Sequence, residues 1–164
     1  MLETCNITIP NVSRDKKRSF WIPTTLWVYG KKTRVTALVD SGATTNLIDK
    51  RFVEQNHLVT NKIAYPFPIT NADGTENNQG YITEYVRAYM VIGDHASTHH
   101  FYVTNLSGKD VMIGYTFLHK HNPSIDWEKG EWQFTRCPEA CTNKRVQRQK
   151  FSELDYAELS TNLP

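Results

Sequence analysis

The chain has 164 residues, enough for one compact domain with tails and too few for two sizeable cores. Hydrophobic residues make up 39% and charged residues 22%, and 19 Lys+Arg against 17 Asp+Glu leave a formal net charge of +2, so no strong field recruits nucleic acid or an acidic membrane. No apolar run is long enough to cross a bilayer, the opening Met1-Leu2-Glu3-Thr4-Cys5-Asn6 lacks a secretory pattern, and three cysteines are no disulfide framework; the expectation is an intracellular chain, not secreted and not membrane-bound.

Aromatic residues at 12%, with abundant Thr, Val and Ile, favour strands over helices. Residues 1–19 form a polar extension that ends near Arg14-Asp15-Lys16-Lys17-Arg18. Leu26-Trp27-Val28-Tyr29 and Thr33 to Val39 then read as a hairpin turning at Gly30-Lys31-Lys32. Between Leu47 and Leu58 a short helix is expected, capped by Asp49 and facing Phe52 and Val53 inward.

Strands resume around Ile69. The polar stretch from Asn71 to Gly80 predicts an exposed hairpin tip. Tyr81 to Ile92 predicts a long strand that turns at Gly93-Asp94 and pairs with Phe101-Tyr102-Val103. His95 to His100 reads as a turn. Val111-Met112-Ile113 stops at Gly114 and enters a short helix from Tyr115 to His121. Ile125-Asp126-Trp127 and Glu131 to Phe134 predict a last hairpin, and 136–164 reads as a charged linker, partly helical toward Leu159. The domain proper is thus placed at 20–135.

The chemistry concentrates in Ala37-Leu38-Val39-Asp40-Ser41-Gly42-Ala43-Thr44. An apolar strand delivers a carboxylate to its end, where a charge leaving a hydrophobic wall needs donors to stabilise it. Gly42 lets its own N–H approach that carboxylate, and Ser41 offers a hydroxyl to lock the turn. Taken alone, the tripeptide also fits an Asx turn at a strand end. Val111-Met112-Ile113-Gly114 repeats the plan of strand, glycine and helix, so the two elements read together.

These segments resemble the protease domain of gypsy-type long-terminal-repeat retrotransposons, a branch of the retropepsin-like aspartic peptidases. Four blocks carry the resemblance: 37–48; Asn71-Ala72-Asp73-Gly74-Thr75; 110–118; and His121-Asn122-Pro123-Ser124-Ile125-Asp126-Trp127. Met112 and Phe117 stand where that family more often has Leu or Ile and Trp, swaps that keep apolar volume. The resemblance implies a mainly β, closed acid-protease barrel with one or two short helices and one lobe per chain. It makes Asp40 catalytic, with Ser41, Gly42 and Ala43 in support. It makes Asn71, Ala72, Asp73, Gly74 and Thr75 a flap over an extended peptide, and sets Ile113 and Gly114 behind the catalytic loop. No cofactor and no metal are called for.

Counting then sets the assembly. Aspartic peptidases use two carboxylates around one water, one taking its proton and the other donating to the scissile carbonyl. This chain holds one Asp-Ser-Gly, and Asp73-Gly74 and Asp110 lack the pattern. The second carboxylate is therefore expected from a second copy, in a homodimer with both Asp40 residues at the two-fold axis. The natural substrate would be a retrotransposon Gag-Pol-like polyprotein. The alternative is an inactive, domesticated copy that keeps the fold for peptide binding or dimerisation; a nucleic-acid-binding barrel ranks below both. His95, His99 and His100, expected in a turn, and Cys137-Pro138-Glu139-Ala140-Cys141, short of further ligands, are read as no metal site.

Overall fold

The computed structural model describes residues 19–71 and 73–142. The charged clusters at 14–18 and 144–150, the helix expected toward Leu159, and Ala72 lie outside the described residues. Nine strands and three short helices make up the rest. They are β1 (Phe20–Val28), β2 (Lys31–Val39), β3 (Leu47–Asp49), α1 (Lys50–Gln55), β4 (Asn61–Thr70), β5 (Glu76–Ile92), β6 (His95–Thr104), β7 (Val111–Ile113), α2 (Tyr115–His121), β8 (Ser124–Asp126), β9 (Glu131–Gln133) and α3 (Glu139–Thr142).

Strand order β1-β2-β7-β3-β6-β5, closed by a β1–β5 pairing at Leu26↔Met90, makes a six-stranded barrel, and β4 hangs on β5 outside it. Closure removes the free edges that an open sheet would expose. The interior follows from period-two alternation. Phe20, Ile22, Leu26 and Val28 of β1 face inward, as do Val86, Ala88, Met90 and Ile92 of β5 and Phe101 of β6. Leu26, Val86, Met90 and Phe101 are wholly buried, so each such aliphatic or aromatic side chain contributes about 1.5–3 kcal/mol. No helix among the described residues is long and apolar enough to cross a membrane.

Several sequence expectations shift in detail. β1 begins at Phe20 rather than Leu26, and β4 at Asn61 rather than near Ile69. The exposed tip narrows from 71–80 to 71–75 because β5 starts at Glu76. The first hairpin turns at Tyr29-Gly30 rather than Gly30-Lys31-Lys32, because Val28 pairs with Lys31 and both loop residues take positive φ, 45° and 81°. That is the two-residue geometry whose twist matches the flanking strands. Residues 95–100 are not a turn. They form the first part of β6, paired with β5 from Ile92↔His95 to Arg87↔His100. The region after 135 is not wholly a linker, since α3 lies there.

Short β3 and α1 are held by one side chain. Asp49 is the α1 N-cap: one carboxylate oxygen accepts from Arg51 N at 3.0 Å, the other from Leu106 N at 2.8 Å. Phe52 and Val53 then bury against the barrel as the sequence predicts. The β8–β9 hairpin sits apart from the main sheet and docks through Trp127 and Trp132, whose rings lie 5.7 and 5.5 Å from Phe20.

Replacing Asp49 with Ala removes a helix cap and strands the buried Leu106 N–H. The expected loss is about 2 kcal/mol in denaturant unfolding. Asp49→Asn, which keeps one acceptor, should fall between that variant and the parent.

Candidate active site

Asp40 follows directly on β2, and the topology explains why its loop is well held. β7 runs between β2 and β3, parallel to the first (Val39↔Ile113) and antiparallel to the second (Leu47↔Met112). The 40–46 connection must therefore arch over the end of β7. Four backbone contacts fasten the arch: Asp40 N donates to Ile113 O at 2.9 Å, Ala43 N to Asp40 O at 3.2 Å, Tyr115 N to Ala43 O at 2.7 Å, and Thr116 N to Thr44 O at 3.1 Å. Asn46 is a buried clasp. Its side-chain oxygen accepts from Gly114 N at 2.9 Å, and its carbonyl accepts from Tyr102 N at 3.0 Å.

Gly114 is required here for space. A Cβ at that position would lie 2.1 Å from Thr45 O and 2.9 Å from Ala43 O, both backbone atoms that cannot swing aside. Gly42 has a different duty. Its N–H donates to Asp40 Oδ1 at 2.8 Å, which fixes one oxygen of a half-buried carboxylate. Ser41 and Gly42 are exposed, and Ala43 is half-buried, so the turn presents its open side outward. A carboxylate oriented this way can act as a general base or, when protonated, as an acid.

The 71–75 segment is the tip of the β4–β5 hairpin. Asn71 N donates to Thr75 O at 2.7 Å and Gly74 N to Asn71 O at 3.0 Å, with Gly74 at φ 88°. The Thr75 hydroxyl and N–H both donate to the Asp73 carboxylate and hold it below the usual carboxylate range. Below the tip β4 pairs with β5 through register shifts and is hydrogen-bonded as a strand to β5 alone, while Phe67 packs edge-on against Tyr102 of β6 at 5.3 Å. Nothing is described of Ala72.

A second cluster lies elsewhere on the barrel, and it changes the reading of the cysteines. His95 Nε2, His121 Nδ1, Cys137 Sγ and Cys141 Sγ all lie within 4.8 Å of one another. The cysteines are thus not isolated in a tail, and two histidines join them, from the start of β6 and the end of α2. Burial pushes the His95 and His121 imidazoles down to about 4 and the Cys137 thiol up to about 11. The signals for this group in the sequence were the Cys-x-x-x-Cys spacing and the histidine-rich 95–100 stretch, which lie too far apart along the chain to be read together.

Against known proteins, the family model described as the PEG10/RTL1 protease domain matches residues 36–142. The match takes in the 40–46 loop, the hairpin tip, Gly114 and both Cys137 and Cys141. Among solved structures, the retroviral protease-like domain of Ddi1 from Leishmania major aligns with TM-score 0.55 at 20% identity, over 72% of this chain and 89% of that one. The EIAV protease complexed with the inhibitor HBY-793 aligns with TM-score 0.45 at 11% identity, over 65% of this chain and 92% of that one. The fold is the mainly β, retropepsin-like barrel that the resemblance implied.

Gly114→Ala should be among the most damaging single substitutions in the chain. Moving the 43–45 backbone to admit a methyl group is expected to cost about 3 kcal/mol or more, seen as a lowered unfolding midpoint or insoluble expression. A Gly114→Ala protein with unchanged stability would show that the arch and β7 are not packed as described.

Proposed function

The chain belongs to the PEG10/RTL1 protease domain family, and from that premise we propose that it is an aspartic endopeptidase active as a homodimer. One observation carries the reading: a single Asp-Ser-Gly turn per chain, with Asp40 delivered at a strand end and one of its oxygens held by the Gly42 N–H. Half a dyad is present. A two-fold axis beside the turn would bring the second Asp40 opposite the first, and the two carboxylates would share one proton around a water. One carboxylate takes a proton from the water as it attacks the scissile carbonyl. The other donates to the carbonyl oxygen, and collapse of the tetrahedral intermediate expels the amine.

The remaining roles follow from that arrangement. Ser41, exposed beside Asp40, would reach the partner's backbone across the axis. Gly42 and Ala43 set the turn, with Ile113 and Gly114 beneath it. The 71–75 tip would close over substrate and exclude water, helped by a hairpin whose base is anchored by the Phe67–Tyr102 contact and whose outer strand is paired only with β5. Asn71, Asp73, Gly74 and Thr75, with Ala72, would contact the peptide there. An extended peptide would add a strand between tips and floor, gaining main-chain hydrogen bonds and side-chain pockets. The chemistry calls for no cofactor.

The family resemblance of the 121–127 block to gypsy-type long-terminal-repeat elements supports a Gag-Pol-like polyprotein as the natural substrate. The described cysteines Cys137 and Cys141 form no disulfide, which suits an intracellular site of action, in cytoplasm or a virus-like particle.

Cleavage of a mixed peptide library at mildly acidic pH tests the assignment. The parent chain should cut internal peptide bonds, and Asp40→Asn should lower the rate by about 1,000-fold or more, removing an essential acid–base group. Equal cleavage by both proteins would remove Asp40 from the chemistry. A folded parent with no cleavage at any concentration would instead favour a domesticated binding module.

A further inference from the structure

We propose that His95, His121, Cys137 and Cys141 form a four-coordinate zinc site that staples the end of the domain to its barrel. The ligand atoms come from four places in the fold. His95 opens β6, His121 closes α2, Cys137 follows β9, and Cys141 lies in α3. His95 Nε2 is 3.1 Å from His121 Nδ1 and 3.3 Å from Cys137 Sγ. His121 Nδ1 is 3.1 Å from Cys137 Sγ and 4.0 Å from Cys141 Sγ. A tetrahedral zinc ion with usual Zn–N and Zn–S bonds separates its ligand atoms by about 3.3–3.8 Å. The cluster already brackets that size.

Its electronics also ask for a cation. The outward ring nitrogens, His95 Nδ1 and His121 Nε2, are buried without a hydrogen-bond partner. If they carry the ring protons, two lone pairs face each other at 3.1 Å inside the cluster, and the two thiols have at most two protons for the whole set. If an inner nitrogen is protonated instead, its outer nitrogen becomes a buried, unpaired acceptor. A divalent ion removes the inner conflict by accepting all four donors. Two imidazoles and two thiolates suit zinc better than the hard cations, which prefer oxygen. On binding, each thiol gives its proton to solvent as its sulfur–metal bond forms.

The surroundings are built to hold the rings. His95 stacks on Phe134 with centroids 3.8 Å apart, and His121 lies 4.5 Å from Phe117. Both histidines are almost fully buried, at 1% and 2% exposure. The segment that brings in the cysteines is tied down independently, because Arg136 donates to Asn122 O at 2.9 Å and to Pro123 O at 3.1 Å. Four protein ligands leave no open position, so the ion would be structural and not catalytic. It would also bear on the 40–46 arch at one remove, since α2 is bonded to Ala43 and Thr44 at its first turn and ends at His121.

The test uses the full chain, reduced with a phosphine and stripped with chelator, then titrated with Zn2+ alone and with Co2+ alone. Expected are one equivalent of zinc per chain, a rise in thermal midpoint reversed by chelator, and a Co2+ spectrum with tetrahedral d–d bands and thiolate charge transfer. Cys141→Ser, at a half-buried position, should fold and bind at least about 100-fold more weakly, more than loss of a supporting contact costs. Cys5→Ser and Asp40→Asn should bind as the parent does, so failure of the peptidase reading leaves this result untouched. No zinc uptake by the reduced parent, an octahedral Co2+ spectrum, or uptake unaffected by both Cys137→Ser and Cys141→Ser would overturn the proposal.

Discussion

Gly114 passes so close beneath the backbone of residues 43–45 that there is no room for a side chain, and the rest of the molecule is arranged around that contact. β7 can lie between β2 and β3 only because Gly114, the residue that follows it, leaves the loop above undisturbed. The same crossing supplies the Ile113 carbonyl to Asp40 N and the Gly114 N–H to Asn46, so the loop is bonded from below along much of its length. A carboxylate carried by such a loop keeps one orientation without help from substrate. Pre-organisation of that kind is what the proposed function needs, in which a single polar turn would serve as half of a catalytic centre.

Much of this was legible in the residues. Alternating apolar positions in 20–28 and 82–92 mark strands with one buried face, and Asp49 ahead of Phe52-Val53 marks a capped helix. The Asp40 turn and Gly114 could be paired from sequence because each follows an apolar strand, although the backbone of Ala43 and Thr45, which leaves no room for a Cβ at Gly114, is visible only in three dimensions. The misread parts have physical causes. Tyr29 is an unusual residue at positive φ, and its hydroxyl donating to Asn61 at 3.2 Å helps hold it where Asn or Gly would be expected. Polar 76–80 is extended because β4 pairs with it outside the barrel, where no burial is needed.

The histidine–cysteine cluster shows a different limit. Its Cys-x-x-x-Cys half was visible, and His95 was visible as part of a histidine-rich stretch. Reading that stretch as a turn separated the two. In β6, by contrast, His95, His99 and Phe101 share one face, and the strand's first residue meets the end of α2. Ligands drawn from four elements leave no local spacing to recognise. The cluster and the Asp40 turn are joined through α2, so the helix is both the support of the loop and the strut on which the C-terminal segment closes.

Every functional statement about Asp40 rests on there being one such residue per chain. Sedimentation velocity across a dilution series, with peptide cleavage followed on the same samples, addresses this most directly. The account predicts that specific activity tracks the dimer fraction and vanishes where only monomer sediments. Undiminished specific activity in samples that contain monomer alone would contradict it.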